Sequence, residues 1–202
     1  MTKNISPLNG LVLAGGKSKR MGKNKASIEW HGKEQQYYVA DLLSSFCKQV
    51  FISCSAIEKN YNVKDYNFLP DAIPEMGPLG GILTAFEKDP ETAWLVVACD
   101  LPLMDDTTLQ YLIAHRNTNA IATTFMSPHD GLPEPLITIW EPACLQELLL
   151  FQSKGITCPR KVLINSNVTI LNIPDPITLM NVNTPEEAAN VERIIENQNK
   201  QN

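Results

Sequence analysis

No apolar run in this chain comes near the roughly 20 residues that a membrane-spanning helix needs. The longest, such as Trp94 to Cys99, reach about a third of that length, so no bilayer-crossing segment is expected. The opening residues MTKNISPLNG lack the apolar core of a secretory signal. Cysteine is sparse: Cys47, Cys54, Cys99, Cys144 and Cys158 are odd in number and form no C-x-x-C pair, which speaks against a disulfide framework and against a zinc site. The expectation is a reduced, cytoplasmic protein. Basic charge is also short. The 17 Lys and Arg face 22 Asp and Glu, a net charge of −5, and a chain of that sign has no general basic face for the phosphates of nucleic acid. Glycine (10) and proline (14) are too few for a collagenous or low-complexity chain, and 44% apolar with 19% charged residues suits a globular protein rather than a disordered one.

Familiar catalytic signatures are missing as well. His31, His115 and His129 show no H-E-x-x-H or nucleophile–base spacing, no G-x-S-x-G elbow occurs, and the three histidines read as structural or surface residues. A Walker A loop ending at Gly16-Lys17-Ser18 would need glycine at position 11, which is Leu11. The dinucleotide fingerprint G-x-G-x-x-G fails too, because Gly15 and Gly16 are adjacent and the next glycine is Gly22.

What the chain does contain is an alternation of buried strands and amphipathic helices. Leu8 to Ala14 is an apolar run stopped by Gly15-Gly16, as expected of a strand buried on both faces, and residues 15 to 25 read as a loop. Apolar residues then recur at helical spacing from Tyr37 to Cys47, followed by a strand from Gln49 to Cys54 and a weaker one ending at Leu69. Pro78 opens a helix that runs to Asp89-Pro90, Trp94 to Cys99 is the clearest buried strand, and Asp105-Asp106 start the next helix. Beyond residue 116 the pattern loosens. Strands are expected at Ala120 to Phe125, Pro135 to Trp140 and Val168 to Ile173, with a helix from Pro142 to Phe151. Thr184-Pro185-Glu186-Glu187 forms a capping box for a terminal helix over about 184–198. The class is α/β with a mostly parallel sheet, in one domain covering residues 1–202.

Chemistry concentrates in Leu13-Ala14-Gly15-Gly16-Lys17-Ser18-Lys19-Arg20-Met21-Gly22-Lys23-Asn24-Lys25. Five of the nine residues from 17 to 25 are basic and none is acidic, in a chain that is acidic overall. Glycines after a buried strand let backbone amides approach a ligand, and the lysines and arginine beside them neutralise oxyanions, so the segment describes a triphosphate cradle. Asp100 ends a buried strand at its carboxyl edge, where open α/β sheets place ligands, and its oxygen suits a hard cation; capping the next turn is the plainer alternative. Asp71 sits in a Pro-Asp turn and also reads as an Asx-turn residue. Asn183 stands before a capped helix, where an amide could orient phosphate or a metal-bound water, and otherwise is a loop asparagine.

LAGGKSKRMGKNK resembles the L-A-G-G-x-S-x-R-M-G-x-x-K signature of nucleotidyltransferases with the molybdenum cofactor guanylyltransferase fold, at every fixed position. Gly77-Pro78-Leu79-Gly80-Gly81, Cys99-Asp100-Leu101-Pro102 and Asn181-Val182-Asn183-Thr184-Pro185-Glu186 agree in the same order. The resemblance implies a three-layer α/β/α, Rossmann-like nucleotidyltransferase fold that binds GTP and Mg²⁺. It implies transfer of GMP to the phosphate of molybdopterin with release of pyrophosphate, in company with other cofactor-biosynthesis proteins and molybdoenzymes. It further implies nucleotide contacts at Leu13, Ala14, Gly15, Gly16, Lys25, Asp71 and Asp100, with Arg20 and Lys25 on the phosphates and Asp100 on the metal. One departure is Ser53-Cys54-Ser55, where the family often carries Asn, which leaves Ser53 a doubtful contact.

On this reading residues of about 8–116 serve the nucleotide and about 117–183 the acceptor, where Pro133-Glu134-Pro135-Leu136 and Thr157-Cys158-Pro159-Arg160-Lys161 lie. Arg160 and Lys161 would suit a phosphate, but two cations before a helix more often read as solvated surface. Two rivals remain. A cytidylyltransferase of the same family would usually read A-A-G in place of Ala14-Gly15-Gly16 and lack the G-P-L-x-G segment. A catalytically inactive nucleotide-binding regulatory module would tend to lose Asp100 or Lys25.

Overall fold

The structure, a computed structural model, describes residues 7–15, 25–55, 65–73 and 75–199. Strand β1 (Leu8–Leu13) is buried along its whole length and pairs in parallel with β2 (Val50–Cys54) on one side and β4 (Ala93–Ala98) on the other. β3 (Asn67–Pro70) continues the sheet beyond β2, while β6 (Pro133–Trp140), β5 (Ala122–Met126) and β7 (Val168–Leu171) continue it beyond β4. The order is β3-β2-β1-β4-β6-β5-β7, and β6 alone runs against the rest.

Alternation along the strands divides the core in two. Leu8 and Val12 of β1 and Leu95 and Val97 of β4 face one side, where α1 (Gln35–Ser44) contributes Val39 and Leu43 and α3 (Asp106–Ala114) contributes Leu109 and Leu112. Leu11, Leu13, Trp94 and Val96 face the other, under α2 (Pro78–Lys88), α4 (Cys144–Ser153) and α5 (Pro159–Ile164). Burial on both faces explains why β4 is a continuous apolar run and β1 is broken only by Asn9, whose buried amide donates to Asp89 Oδ2 at 3.0 Å, and the three layers are those expected. The last helix, α6 (Pro185–Asn199), packs Val191 and Ile195 on Leu103 and Val182. Among the described residues, no helix is long and apolar enough to cross a membrane.

Some element ends differ from the sequence reading. α1 starts two residues before Tyr37, because the Gln35 amide is taken by Ile28 O (2.9 Å) and the amides of Tyr37 and Tyr38 by Glu34 O, and it stops at Ser44, short of Cys47. α4 begins at Cys144 rather than Pro142, since Cys144 N bonds to Glu141 O in the turn leaving β6. β7 ends at Leu171, where its pairing with Phe125 of β5 ends.

Chain reversal places the functional edge. From β1 the chain winds outward through β2 and β3, then returns to β4 on the opposite side of β1. The carboxyl ends of β1 and β4 therefore border the crevice at which open α/β sheets bind ligands.

Candidate active site

At this edge Leu13 lies level with Ser53 of β2 and Ala98 of β4, and Cys99 N donates to Leu13 O at 3.2 Å. Ala14-Gly15 and Asp100 thus leave the sheet side by side. The register of β2 with β3 brings in Asp71, whose amide bonds to Cys54 O at 2.9 Å. A Cβ on Gly15 would stand 3.8 Å from Asp71 Oδ2, so the carboxylate faces the start of the glycine loop. Asp71 Oδ1 accepts the Ser53 hydroxyl at 2.7 Å. Burial pushes the Asp71 carboxyl above its ordinary pKa, and the Ser53 bond pulls it part of the way back. Ser53, a doubtful contact by sequence, is buried and acts on Asp71.

The G-P-L-G-G segment explains itself by close packing. A Cβ on Gly81 would come within 2.7 Å of Ser53 Oγ and 2.9 Å of Leu13 Cδ2, and one on Gly80 within 3.1 Å of Ile73 O. Gly77 precedes α2 at φ +58°, in the left-handed region that glycine tolerates. Small residues let the first turn of α2 sit directly on the ends of β1 and β2.

On the other side of the crevice, Val182 N donates to Asp100 O at 3.1 Å, which joins the N-V-N-T-P segment to the aspartate. The capping box forms as expected: Glu187 Oε2 accepts the Asn183 and Thr184 amides at 2.7 and 3.0 Å, and Thr184 Oγ1 accepts Glu187 N at 3.2 Å. Asn183 is half-buried beside it. Lys25 opens a 3₁₀ turn over Lys25–Ser27. Gly16 and Arg20 lie outside the described residues.

Magnesium takes one or two protein carboxylates and completes its shell with water and substrate phosphate. Among the described residues no three His, Cys, Asp or Glu side chains converge to cage an ion. A half-buried aspartate just past the end of β4, beside the end of β1, is a donor that fits an ion shared with phosphate.

Arg160 differs from both sequence readings. Because β6 is antiparallel, its first residues lie at the same edge as Asp100, and Glu134 there is 5% exposed. Arg160 in the first turn of α5 donates to both Glu134 oxygens, at 2.9 and 3.2 Å, and to Asp130 at 2.6 Å. It is a partly exposed cation paired with two carboxylates, and the partners 26 and 30 residues upstream carry no sequence signal. Lys161 is exposed. Of the histidines, His31 bonds to Pro102 O and stacks on Tyr38, His115 bonds to Tyr111 O, and His129 is exposed.

The family model for the MobA-like NTP transferase domain matches residues 10–168, which include the glycine loop, Asp71 and Asp100. The chain belongs to the MobA-like NTP transferase family. Among relatives, a molybdenum cofactor biosynthesis bifunctional protein of Synechocystis is 36% identical over 90% of this chain, which spans 53% of that longer protein. A molybdenum cofactor guanylyltransferase of Pseudomonas fluorescens is 30% identical over 92% of this chain and 95% of its own length. The fold of this family member also matches molybdopterin-guanine dinucleotide biosynthesis protein A from Archaeoglobus fulgidus, with a TM-score of 0.79 over 94% of this chain and 99% of the other at 24% identity.

Proposed function

We propose that this chain is a molybdenum cofactor guanylyltransferase that moves GMP from GTP to the terminal phosphate of molybdopterin and releases pyrophosphate. The observation that carries this reading is the placing of Gly15, Asp71 and Asp100 together at the carboxyl edge of the sheet around β1, in a chain whose full-length relatives bear that name. A phosphate oxygen of the acceptor attacks the α-phosphorus of GTP, forming a P–O bond as the bond to the β-phosphate oxygen breaks. The acceptor is already ionised, so no general base is required. Catalysis then rests on positioning and charge neutralisation.

In this reading the Leu13, Ala14, Gly15 and Gly16 backbone receives the nucleotide, and Arg20 and Lys25 neutralise the phosphates. Asp71 borders the loop, and Asp100 holds Mg²⁺, which supplies Lewis-acid neutralisation at the phosphates when bound. Asn183, beside Asp100, faces the acceptor phosphate. The fixed Glu134–Arg160 pair shapes the acceptor side of the crevice.

A thermal-shift panel of GTP, CTP, ATP and UTP, each with Mg²⁺, tests nucleotide choice. A ligand that binds only the folded state adds about 2.7 kcal/mol at a hundred times its dissociation constant. The account expects that shift for GTP alone, with pyrophosphate released once molybdopterin is added. A shift with CTP in its place would point to cytidylyl transfer, and binding without pyrophosphate release to a regulatory module.

A further inference from the structure

The turn that follows β4 is held in an unusual way. Three successive carbonyls, those of Asp100, Leu101 and Pro102, accept hydrogen bonds from outside the turn. Val182 N donates to Asp100 O at 3.1 Å, Gln35 Nε2 to Leu101 O at 3.4 Å and His31 Nε2 to Pro102 O at 2.8 Å. Two of the three donors are side chains from one short stretch, residues 31 to 35, which follows the 3₁₀ turn opened by Lys25.

Packing does not account for Gln35. It is fully buried, and its Oε1 has no hydrogen-bond partner among the described residues. A buried acceptor without a donor costs stability, and a leucine of similar volume would carry no such cost. What the amide gains is its bond to Leu101, which at 3.4 Å has slack to take up. The side chains of Leu101, Leu103 and Met104 are packed into the core, which anchors the turn without fixing the direction of its carbonyls. A pocket of about 390 Å³, lined by His31, Tyr38, Pro102, Met104, Asp105 and Thr178 among others, lies beside the turn, and across it the His31 ring supplies a hydrogen bond to Pro102 O. His31 is fixed for the task by its stack on Tyr38, with ring centroids 3.8 Å apart and planes 16° from parallel.

We propose that Gln35 and His31 are positioning residues for the transfer reaction, holding the Leu101 and Pro102 carbonyls and so setting the direction in which Asp100 presents its carboxylate. The inference rests on the reading of Asp100 as the magnesium ligand. It also ties the turn after Asp100 to the segment from His31 to Gln35.

The test uses Gln35→Leu, which keeps volume and removes the amide, and His31→Phe, which keeps the stack on Tyr38 and removes the donor. Amide hydrogen exchange at Met104 and Val182, whose N–H groups bond to Leu101 O and Asp100 O, is followed without ligand. Magnesium half-saturation is measured by titration at fixed GTP, and kcat and KM for GTP with molybdopterin as acceptor. Exchange at those amides should rise in both variants, magnesium half-saturation should move up, and kcat should fall roughly ten- to hundredfold with KM for GTP nearly unchanged. His31→Gln, which restores a donor, should recover most of the loss. Gln35→Leu should melt no lower than the parent, so a kcat loss there is not a folding loss. Unchanged exchange and magnesium dependence in both variants would overturn the proposal. Asp100→Asn, run alongside, separates the two ideas: if it loses activity while Gln35→Leu and His31→Phe do not, only the positioning role fails.

Discussion

Asp71 is a carboxylate that the fold holds at a cost. Burial raises its pKa above that of the unfolded chain, so the native state keeps the proton to higher pH, and stability is lost as pH rises from the unfolded value through the folded one. Asp71→Asn removes the charge while leaving an oxygen for Ser53. Without nucleotide, the variant should melt above the parent near neutral pH, and the gap should close on acidification as Asp71 protonates. Calorimetry across the acid range checks this, and equal melting at neutral pH would count against it. GMP transfer by the variant should nevertheless fall. Residues such as Asp71, Asp100 and Gly15 were legible in the sequence because each stands at the end of an apolar run or in a short motif. Ser53, Gln35 and His31 were not, since each matters through a partner 18, 66 or 71 residues away, and no periodicity reports a single contact across that distance.

At the level of elements, strands and helices followed from burial period and from Gly, Pro and Asp punctuation, and the errors gathered at ends that backbone hydrogen bonds decide, as at Gln35 and Cys144. Strand order was not readable, because the both-face burial of β1 and β4 looks the same whichever strand lies beside them. The first turn of α2 gives a test of how an element serves the site. Gly81→Ala would push against Ser53 Oγ and Leu13 Cδ2, and Ser53 can yield only by rotating its hydroxyl away from Asp71. Overpacking of this kind costs about 1–3 kcal/mol. The melting temperature should drop by a corresponding few degrees and GMP transfer by more than that loss explains. A variant that keeps parental turnover would show that α2 and the Ser53–Asp71 pair are independent.

For the molecule as a whole, a buried ion pair and the candidate site lie at opposite ends of the central strands. Arg116 and Glu141 form a buried two-bond pair, at 2.6 and 2.9 Å, with side chains 2% and 5% exposed, at the edge where β4 begins and β6 ends. Removing one partner of a buried pair costs about 3–5 kcal/mol, because the other charge is left behind. Glu141→Ala should therefore lower the denaturation midpoint strongly while the folded fraction keeps parental kcat; a matching loss of kcat would show that the two ends are not separable. Asp100 poses the complementary question, because Asn keeps its shape and its capacity to cap a turn but not its charge. The most direct measurement is GMP transfer to molybdopterin by Asp100→Asn at saturating Mg²⁺, with GTP affinity determined on the same preparation. If the carboxylate holds magnesium where charge develops on the phosphates, turnover falls far more than affinity does; near-parental turnover would contradict that role and the mechanism built on it.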